Sequence, residues 1–299
     1  MALNILITGC KSGFGRLMSE TLASRGHRVF AGMRDVAGRN AGAAAELKAF
    51  THASGGSIHP LEIDITSTAS VEAGVAAALA AADGRIDVAI NNAAIGQFGL
   101  LEGYTGEQVS EIFNTNVAGL QRVNSAVLPG MRARGEGLLI HIGSTIGRIV
   151  LPTMALYCAT KFAVEAMVEG YAYELAPLGI EAVLIQPGAY PTGFMSGALR
   201  PADARDAGYG PNAQLCDNFL ASIGAMMSGP DAPNPQAVAD AVLHLIETPA
   251  GQRPLRTVVD ANPQATEAIN GVCAQVQGGM LGMMGMGGLL KVTIRDRAS

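Results

Sequence analysis

The sequence predicts an α/β fold, a doubly wound parallel sheet of about seven strands with helices on both faces. Short apolar runs of strand length alternate with helix-spaced segments along most of the 299 residues. Those runs are nearly continuous in Val, Ile and Leu, as strands covered on both faces require. No Pro/Ser-rich or charge-rich linker divides the chain. Residues 1–262 therefore read as one folded unit, and 263–299 as a Met/Gly-rich C-terminal extension.

The elements follow in order. Leu3 to Thr8 is the first strand. Phe14, Leu17, Met18, Thr21 and Leu22 then recur at helical spacing over 14–25, and Gly26 stands where a left-handed helix end belongs. Further strands are expected near 28–33, 57–63, 86–91, 137–143, 180–186 and 255–259. Further helices are expected near 68–82, 106–131, 156–176 and 235–247, with Thr105-x-x-Gln108 as a capping box for the second of these. The segment 193–234 is long for a connection and holds Phe194, Met195, Phe219, Met226 and Met227 among glycines and prolines. It reads as short helical pieces joined by mobile turns, an apolar cover over a site. In the extension, Met280, Met283, Met284 and Met286 lie among glycines, a composition of poor helix propensity. A flexible segment, a lid extension and a subunit contact are all open readings of it.

Two groups of residues carry chemistry. Gly9, Gly13 and Gly15, with Cys10, Lys11, Ser12 and Phe14 between them, join the first strand to the first helix. A strand, glycine turn, helix and second strand in about thirty residues is the context for a dinucleotide pyrophosphate. Glycine lets the backbone approach closely, and the helix N-terminus offers free N–H groups to negative charge. In the second group, Tyr157 and Lys161 are one helical turn apart, with Ser144 upstream. A tyrosine has an unperturbed pKa of about 10, and a neighbouring ammonium favours its phenolate. A serine hydroxyl beside them can hold a substrate oxygen while Tyr157 exchanges a proton with it.

The spacing Gly-x-x-x-Gly-x-Gly, the serine and Tyr-x-x-x-Lys together resemble the short-chain dehydrogenase/reductase family, a Rossmann-type fold. Asp64 after the third strand, Asn91-Asn92-Ala93-Ala94 after the fourth, Asn116, and Pro187-Gly188-Ala189-Tyr190-Pro191-Thr192 fall in the family's order, over roughly residues 3–260. Ala94 stands where the family has glycine. The resemblance implies hydride transfer between a nicotinamide and a carbonyl or alcohol carbon. It implies Ser144, Tyr157, Lys161 and Asn116 as catalytic residues, with Lys161 lowering the Tyr157 pKa and Asn116 keeping a water in a proton relay. It implies Gly9, Lys11, Ser12, Gly13, Phe14, Gly15, Asp64, Ile65, Asn91, Ala93, Pro187, Gly188 and Thr192 as cofactor contacts, with Tyr157 and Lys161 shared.

Cofactor choice is read at the end of the second strand. NAD-selective members carry an acid there, whereas this chain has Met33 and then Arg34. With Lys11 in the glycine turn, two cations suit a 2'-phosphate, so NADP(H) is favoured over NAD(H). Asp35 is the counter-evidence, able to pair with Arg34 or reach a ribose. The expected substrate is a mostly apolar ketone, aldehyde or alcohol. The alternatives are a non-catalytic NADP(H) sensor and a non-redox epimerase or dehalogenase on the same fold.

Composition narrows the partners. A net charge of -5 without a basic run argues against a nucleic-acid surface. No run of eighteen or more apolar residues suggests a membrane span. Cys10, Cys158, Cys216 and Cys273 lack metal-site spacing, and no signal peptide precedes the first strand, so a metal-free cytoplasmic protein is expected. Small residues on several faces of the helices at 106–131 and 156–176 suggest a homodimer or homotetramer. His141 and Arg148 read as structural, and Arg200 and Arg205 as solvated cations.

Overall fold

The computed structural model describes residues 2–54, 56–203, 205–289 and 291–293. Among them, seven parallel strands form one sheet in the order β3-β2-β1-β4-β5-β6-β7. The strands are β1 (Asn4–Thr8), β2 (Arg28–Met33), β3 (Ser57–Glu62), β4 (Val88–Asn91), β5 (Gly137–Ile142), β6 (Ile180–Pro187) and β7 (Arg256–Val259). The order reverses between β1 and β4, so the connections leave a crevice at their carboxyl ends. Pro60 lies in β3, an edge strand, where a missing N–H costs no ladder bond on the open side.

Two apolar layers cover the sheet. On one face, Met18 and Leu22 of α1 (Gly13–Ser24), Leu47 of α2 (Ala41–Ser54) and Val238 and Val242 of α8 (Gln236–Glu247) pack on Ile5, Ile7, Val29 and Ile140. On the other, α3 (Thr68–Ala81), α5 (Gly119–Arg134) and α6 (Ala155–Leu175) pack on Leu6, Phe30, Ala89 and Leu139. The alternating inward residues of each strand thus feed both layers, the physical basis of the continuous apolar runs.

The structure departs from the sequence reading in four elements. Helix α2 occupies 41–54, where no helix is expected; its alanines give it a weak amphipathic pattern, and Leu47 is its described core anchor. The helix expected at 106–131 is split into α4 (Gly106–Phe113) and α5 by a π-helical turn at Asn114–Ala118, and α5 continues to Arg134. The capping box of Thr105 and Gln108 does form at the start of α4. Segment 193–234 contains a full helix, α7 (Leu215–Ser228), because its prolines, at 201, 211, 230 and 233, all fall outside it. Finally, α9 (Gln264–Met283) makes most of the extension helical despite its glycines. Tertiary bonds from Asn270 and Gln277 override the poor propensity. Leu290 and residues 294–299, the end of the Met/Gly-rich extension, lie outside the described residues.

Candidate active site

The carboxyl ends of β1, β4, β5 and β6 open onto one cleft of about 950 Å³. At one end lies the turn between β1 and α1. Gly9 at φ +75° and Gly13 at φ +57° hold left-handed backbone that side chains disfavour. Gly15 sits behind the cleft wall, where an added Cβ would lie 2.3 Å from the Gly9 carbonyl oxygen. Lys11, Ser12, Gly13 and Phe14 line the cleft itself. Helix α1 starts there with no side-chain cap and no acid in its first turn, so its N–H groups keep their partial positive charge. Asn92 braces the turn, donating from Nδ2 to the Thr8 and Gly9 carbonyls at 2.8 and 3.2 Å. Asn92 and Ala93 line the cleft. The Asn91 amide instead donates to Asn124 Oδ1 at 2.8 Å, beneath the cleft floor.

Beyond β2, Met33, Arg34 and Asn40 line the cleft, and Asp35 does not. Asp35 holds φ +53°, accepts the Arg39 N–H at 3.0 Å and pairs with the Arg39 guanidinium at 3.7 Å. Its partner is therefore Arg39 rather than Arg34. The Asp35 and Val36 N–H groups both donate to the Glu62 carboxylate at 2.8 Å. Asp64 and Ile65 complete this wall. Burial opposes ionisation of Asp64, but hydrogen bonds from Thr66 N–H and Oγ1, at 2.9 and 2.7 Å, together with Arg34 and Arg39 nearby, hold its carboxyl below the usual range. Asn40 carried no signal in the sequence beyond its distance from β2. In the fold its amide, itself buried, donates to the Arg34 carbonyl.

The middle of the cleft brings Ser144, Tyr157 and Lys161 together. Ser144 stands two residues past the end of β5; its Oγ donates to the Pro187 carbonyl at 3.3 Å and accepts from Ile146 N–H at 3.3 Å. Both bonds are long, so the hydroxyl can be redirected to a ligand at small cost. Lys161 Nζ donates to the Ile142 carbonyl at 2.8 Å and stands 5.5 Å from the Tyr157 ring centroid. That leaves two ammonium N–H groups for other partners. The expected lowering of Tyr157 by Lys161 is not what the chain alone produces. Burial, aided by Cys158, pushes the phenol above its ordinary range, because desolvation of the phenolate outweighs an ammonium bonded elsewhere. Burial likewise lowers Lys161 to about 8, against the opposing effect of Glu165.

Asn116 sits in the π-helical turn, which directs it inward, and it is buried. Its Oδ1 accepts from Ile95 N–H at 2.8 Å, and its Nδ2 donates to the Ile95 carbonyl and Thr160 Oγ1 at 2.9 and 3.1 Å. It does not line the main cleft. It lines instead a small cavity of about 10 Å³ shared with Thr8, Asn91 and Lys161, about the room one water needs.

Pro187, Gly188 and Thr192 close the cleft opposite. A Cβ on Gly188 would lie 2.0 Å from Asp260 Oδ2, so a larger residue there would have to displace the Asp260 carboxylate. The far end is apolar, with Ile149, Leu151, Met154, Phe194, Met195 and Phe219 among its lining. Phe194 packs on Tyr157 with ring centroids 5.2 Å apart. Residues Cys216, Phe219, Leu220, Ile223 and Met227 form the half-buried stripe of α7 at helical spacing. Outside the cleft, His141 is a core histidine bonded to Asn124 and the Val183 carbonyl, and burial lowers it to about 4. Arg205 pairs with Glu102 and Asp203, and Arg200 lies over the Phe98 ring.

The chain matches the short chain dehydrogenase family over residues 3–202, and it belongs to that family. It is 36% identical over 221 residues to the 3-ketodihydrosphingosine reductase of Bacteroides thetaiotaomicron, covering 73% of this chain and 74% of that one. It is 36% identical over 198 residues to human 17-beta-hydroxysteroid dehydrogenase type 1, covering 65% of this chain and 59% of that one. Among solved structures, a short-chain dehydrogenase from Streptomyces avermitilis superimposes with a TM-score of 0.75 at 28% identity, over 96% of this chain and 99% of the other. The protein is thus an oxidoreductase of the short-chain dehydrogenase family, with the Rossmann-type sheet that binds a nicotinamide cofactor.

Proposed function

We propose that this protein is an NADP(H)-dependent oxidoreductase that interconverts a mostly apolar ketone or aldehyde and its alcohol, with Tyr157 as general acid and base. One observation carries the reading. A single cleft holds the glycine turn at one end, Ser144, Tyr157 and Lys161 in the middle, and apolar side chains at the other end. The residues fit a dinucleotide. The backbone at Gly9 and Gly13 is open to close approach, the α1 N-terminus is uncapped, and Lys11 and Arg34 line the same cleft. NADP(H) is the favoured form because Met33 offers no acid to a ribose diol, while Asp35 and Glu62 are engaged with the protein's own groups. Asp64 and Ile65 would hold the adenine, and Thr192, Pro187 and Gly188, which line the same cleft, would hold the nicotinamide. When bound, the nicotinamide supplies or accepts the hydride.

In reduction, Ser144 Oγ donates a hydrogen bond to the substrate oxygen in place of the Pro187 carbonyl. Tyr157, held protonated by burial, donates its proton to that oxygen. Lys161, with one N–H donated to the Ile142 carbonyl, would hold ribose hydroxyls with the other two and stabilise the phenolate left behind. A water between Asn116 and Lys161 returns the proton through the small cavity. Segment 193–234 acts as a lid: its first part is tied to the body by Leu199, whose N–H bonds Gly96, and by Ala202 on Gln108, while α7 lays its apolar stripe toward the cleft. The two relatives named for a ketosphingoid base and a hydroxysteroid support an apolar substrate. Exposed Phe162 and neighbouring Ala159 and Ala166 on α6 support a homodimer or homotetramer through α5 and α6. An NADPH-oxidation screen over ketones of graded size, with NADH beside it, tests the reading. Turnover is expected with bulky apolar ketones and NADPH. No turnover of any carbonyl compound with either cofactor would overturn it.

A further inference from the structure

Beneath the cleft lies a buried polar network that joins the three segments supporting Ser144 and Lys161. Arg148 follows Ser144 by one turn of chain, Glu165 follows Lys161 by one helical turn, and Gln186 directly precedes Pro187, whose carbonyl accepts the Ser144 hydroxyl. Two of these side chains, Arg148 and Gln186, meet at Asn270 of α9, and Glu165 joins them through Gln186. Asn270 Oδ1 accepts from Arg148 Nε at 2.9 Å, and its Nδ2 donates to Gln186 Oε1 at 2.7 Å. Gln186 Nε2 then donates to Glu165 Oε1 at 2.6 Å. The other Glu165 oxygen accepts from Arg256 of β7 at 2.8 Å and pairs with Arg148 at 3.8 Å. Farther along the helix, Glu169 pairs with Arg256 and accepts from Gln277 of α9. The Glu165 and Arg256 side chains are 3% and 8% exposed. Gly147, between Ser144 and Arg148, is in contact with this turn of α6: a Cβ there would lie 3.1 Å from the Lys161 carbonyl oxygen and 3.2 Å from Glu165 Cγ.

We propose that Asn270 and Glu165 are positioning residues for the reaction, so that the tail helix α9 is part of the catalytic apparatus and sets where the Ser144 hydroxyl and the Lys161 ammonium stand. The inference rests on the catalytic reading above. A plain anchor for the tail would need only surface contacts. Here the tail supplies a side chain that hydrogen-bonds both the Ser144 loop, at Arg148, and the strand end holding the Ser144 hydroxyl, at Gln186. A buried ion cluster left partly unsatisfied costs more than an apolar contact of the same size, which makes such a network a device for fixing geometry. Glu165 is also the nearest anion to Lys161 along α6 and raises its proton affinity against burial. The charged and titratable groups around this pair are Tyr157 and Glu169 on α6, Arg148 on the loop after β5 and Arg256 on β7.

The test uses the full chain and three variants. Asn270→Leu keeps the side-chain size and removes both bonds. Glu165→Gln keeps the shape and removes the charge. Val276→Ser, on the exposed face of α9, is the control. Turnover of a ketone with NADPH, the dissociation constant of NADPH, and the rate of reductive methylation of Lys161 are measured for each, the last by mass spectrometry. Asn270→Leu is expected to lower kcat by about tenfold while KM and NADPH binding change by less than about threefold, the signature of displaced rather than missing groups. Glu165→Gln is expected to speed Lys161 methylation near neutral pH by about fivefold, because more of the amine is neutral. Val276→Ser is expected to match the wild type in all three. Wild-type kcat and methylation in both variants would overturn the proposal. So would a loss of kcat matched by an equal loss of NADPH binding, which marks a folding anchor only. If Asn270→Leu does not fold, Asn270→Asp, which keeps the acceptor for Arg148 and loses the donor to Gln186, reads the same quantities. If the wild type reduces no ketone, the catalytic reading fails on its own, and the methylation rates alone decide whether Glu165 and Asn270 govern Lys161.

Discussion

At the residue scale, the site works by placing polar groups where desolvation does part of the chemistry. Tyr157 is buried enough that its phenol stays protonated, which suits an acid for carbonyl reduction. Lys161 is lowered to about 8, so its charge is largely present below that pH and is lost above it. The sign follows: ketone reduction is expected to be flat from about pH 6 to 7 and to fall as pH rises through about 8. A rate profile at saturating NADPH checks it, and a rate that climbs steadily to pH 10 contradicts it. For folding, Lys161 has a pKa below its ordinary 10.5, so the unfolded chain binds more protons between about 8 and 10.5, and this group makes stability rise with pH in that window. Under the proposed function, Arg34 is the residue expected to carry the cofactor choice. Arg34→Ala is expected to weaken NADPH by roughly 1.5–3 kcal/mol, the worth of a charge-assisted bond, and NADH far less. Fluorescence titration of both cofactors decides; equal losses contradict a phosphate contact at Arg34.

At the element scale, the site was legible where chemistry demands a residue type at a fixed offset from a strand end. Gly9, Gly13, Ser144, Tyr157, Lys161 and Thr192 all line the cleft, because parallel strands deliver their carboxyl ends to one crevice. What stayed hidden depends on contacts between distant segments. The break at Asn114–Ala118 leaves no mark such as Pro or Gly within it, yet it turns Asn116 toward Ile95 and Thr160. Helix α9 reads as glycine-weakened chain until Asn270 and Gln277 meet Gln186 and Glu169 across the fold. Asn92 outranks Asn91 at the cleft only because β4 ends between them. The cover divides unevenly. Leu199, Ala202, Asp203, Arg205 and Tyr209 bond residues in 96–108, including Tyr209 to Glu102 at 2.8 Å, whereas α7 has no buried residue. Hydrogen exchange is therefore expected to be fast in 215–228 without ligand and to slow when NADP and a ketone inhibitor bind, with 199–203 protected throughout. Protection of 215–228 equal to the core strands in the free protein contradicts a lid.

At the scale of the whole molecule, two apolar layers hold the sheet rigid while the reactive groups stand on its carboxyl edge, and among the described residues no helix is long and apolar enough to cross a membrane. The exposed face of α6 around Phe162 is expected to be covered by a second copy. Light scattering at micromolar concentration checks this, and Phe162→Glu is expected to shift the mass toward monomer; a wild type already monomeric contradicts it. The central claim is that this cleft passes a proton through Tyr157 while the cofactor end stays independent of it. The most direct measurement compares wild type and Tyr157→Phe for NADPH oxidation by one apolar ketone, with NADPH affinity determined in parallel. Tyr157→Phe is expected to lose at least 100-fold in kcat, the scale of general acid catalysis, with NADPH binding within about threefold of wild type. Turnover of the phenylalanine variant near the wild-type rate would contradict it.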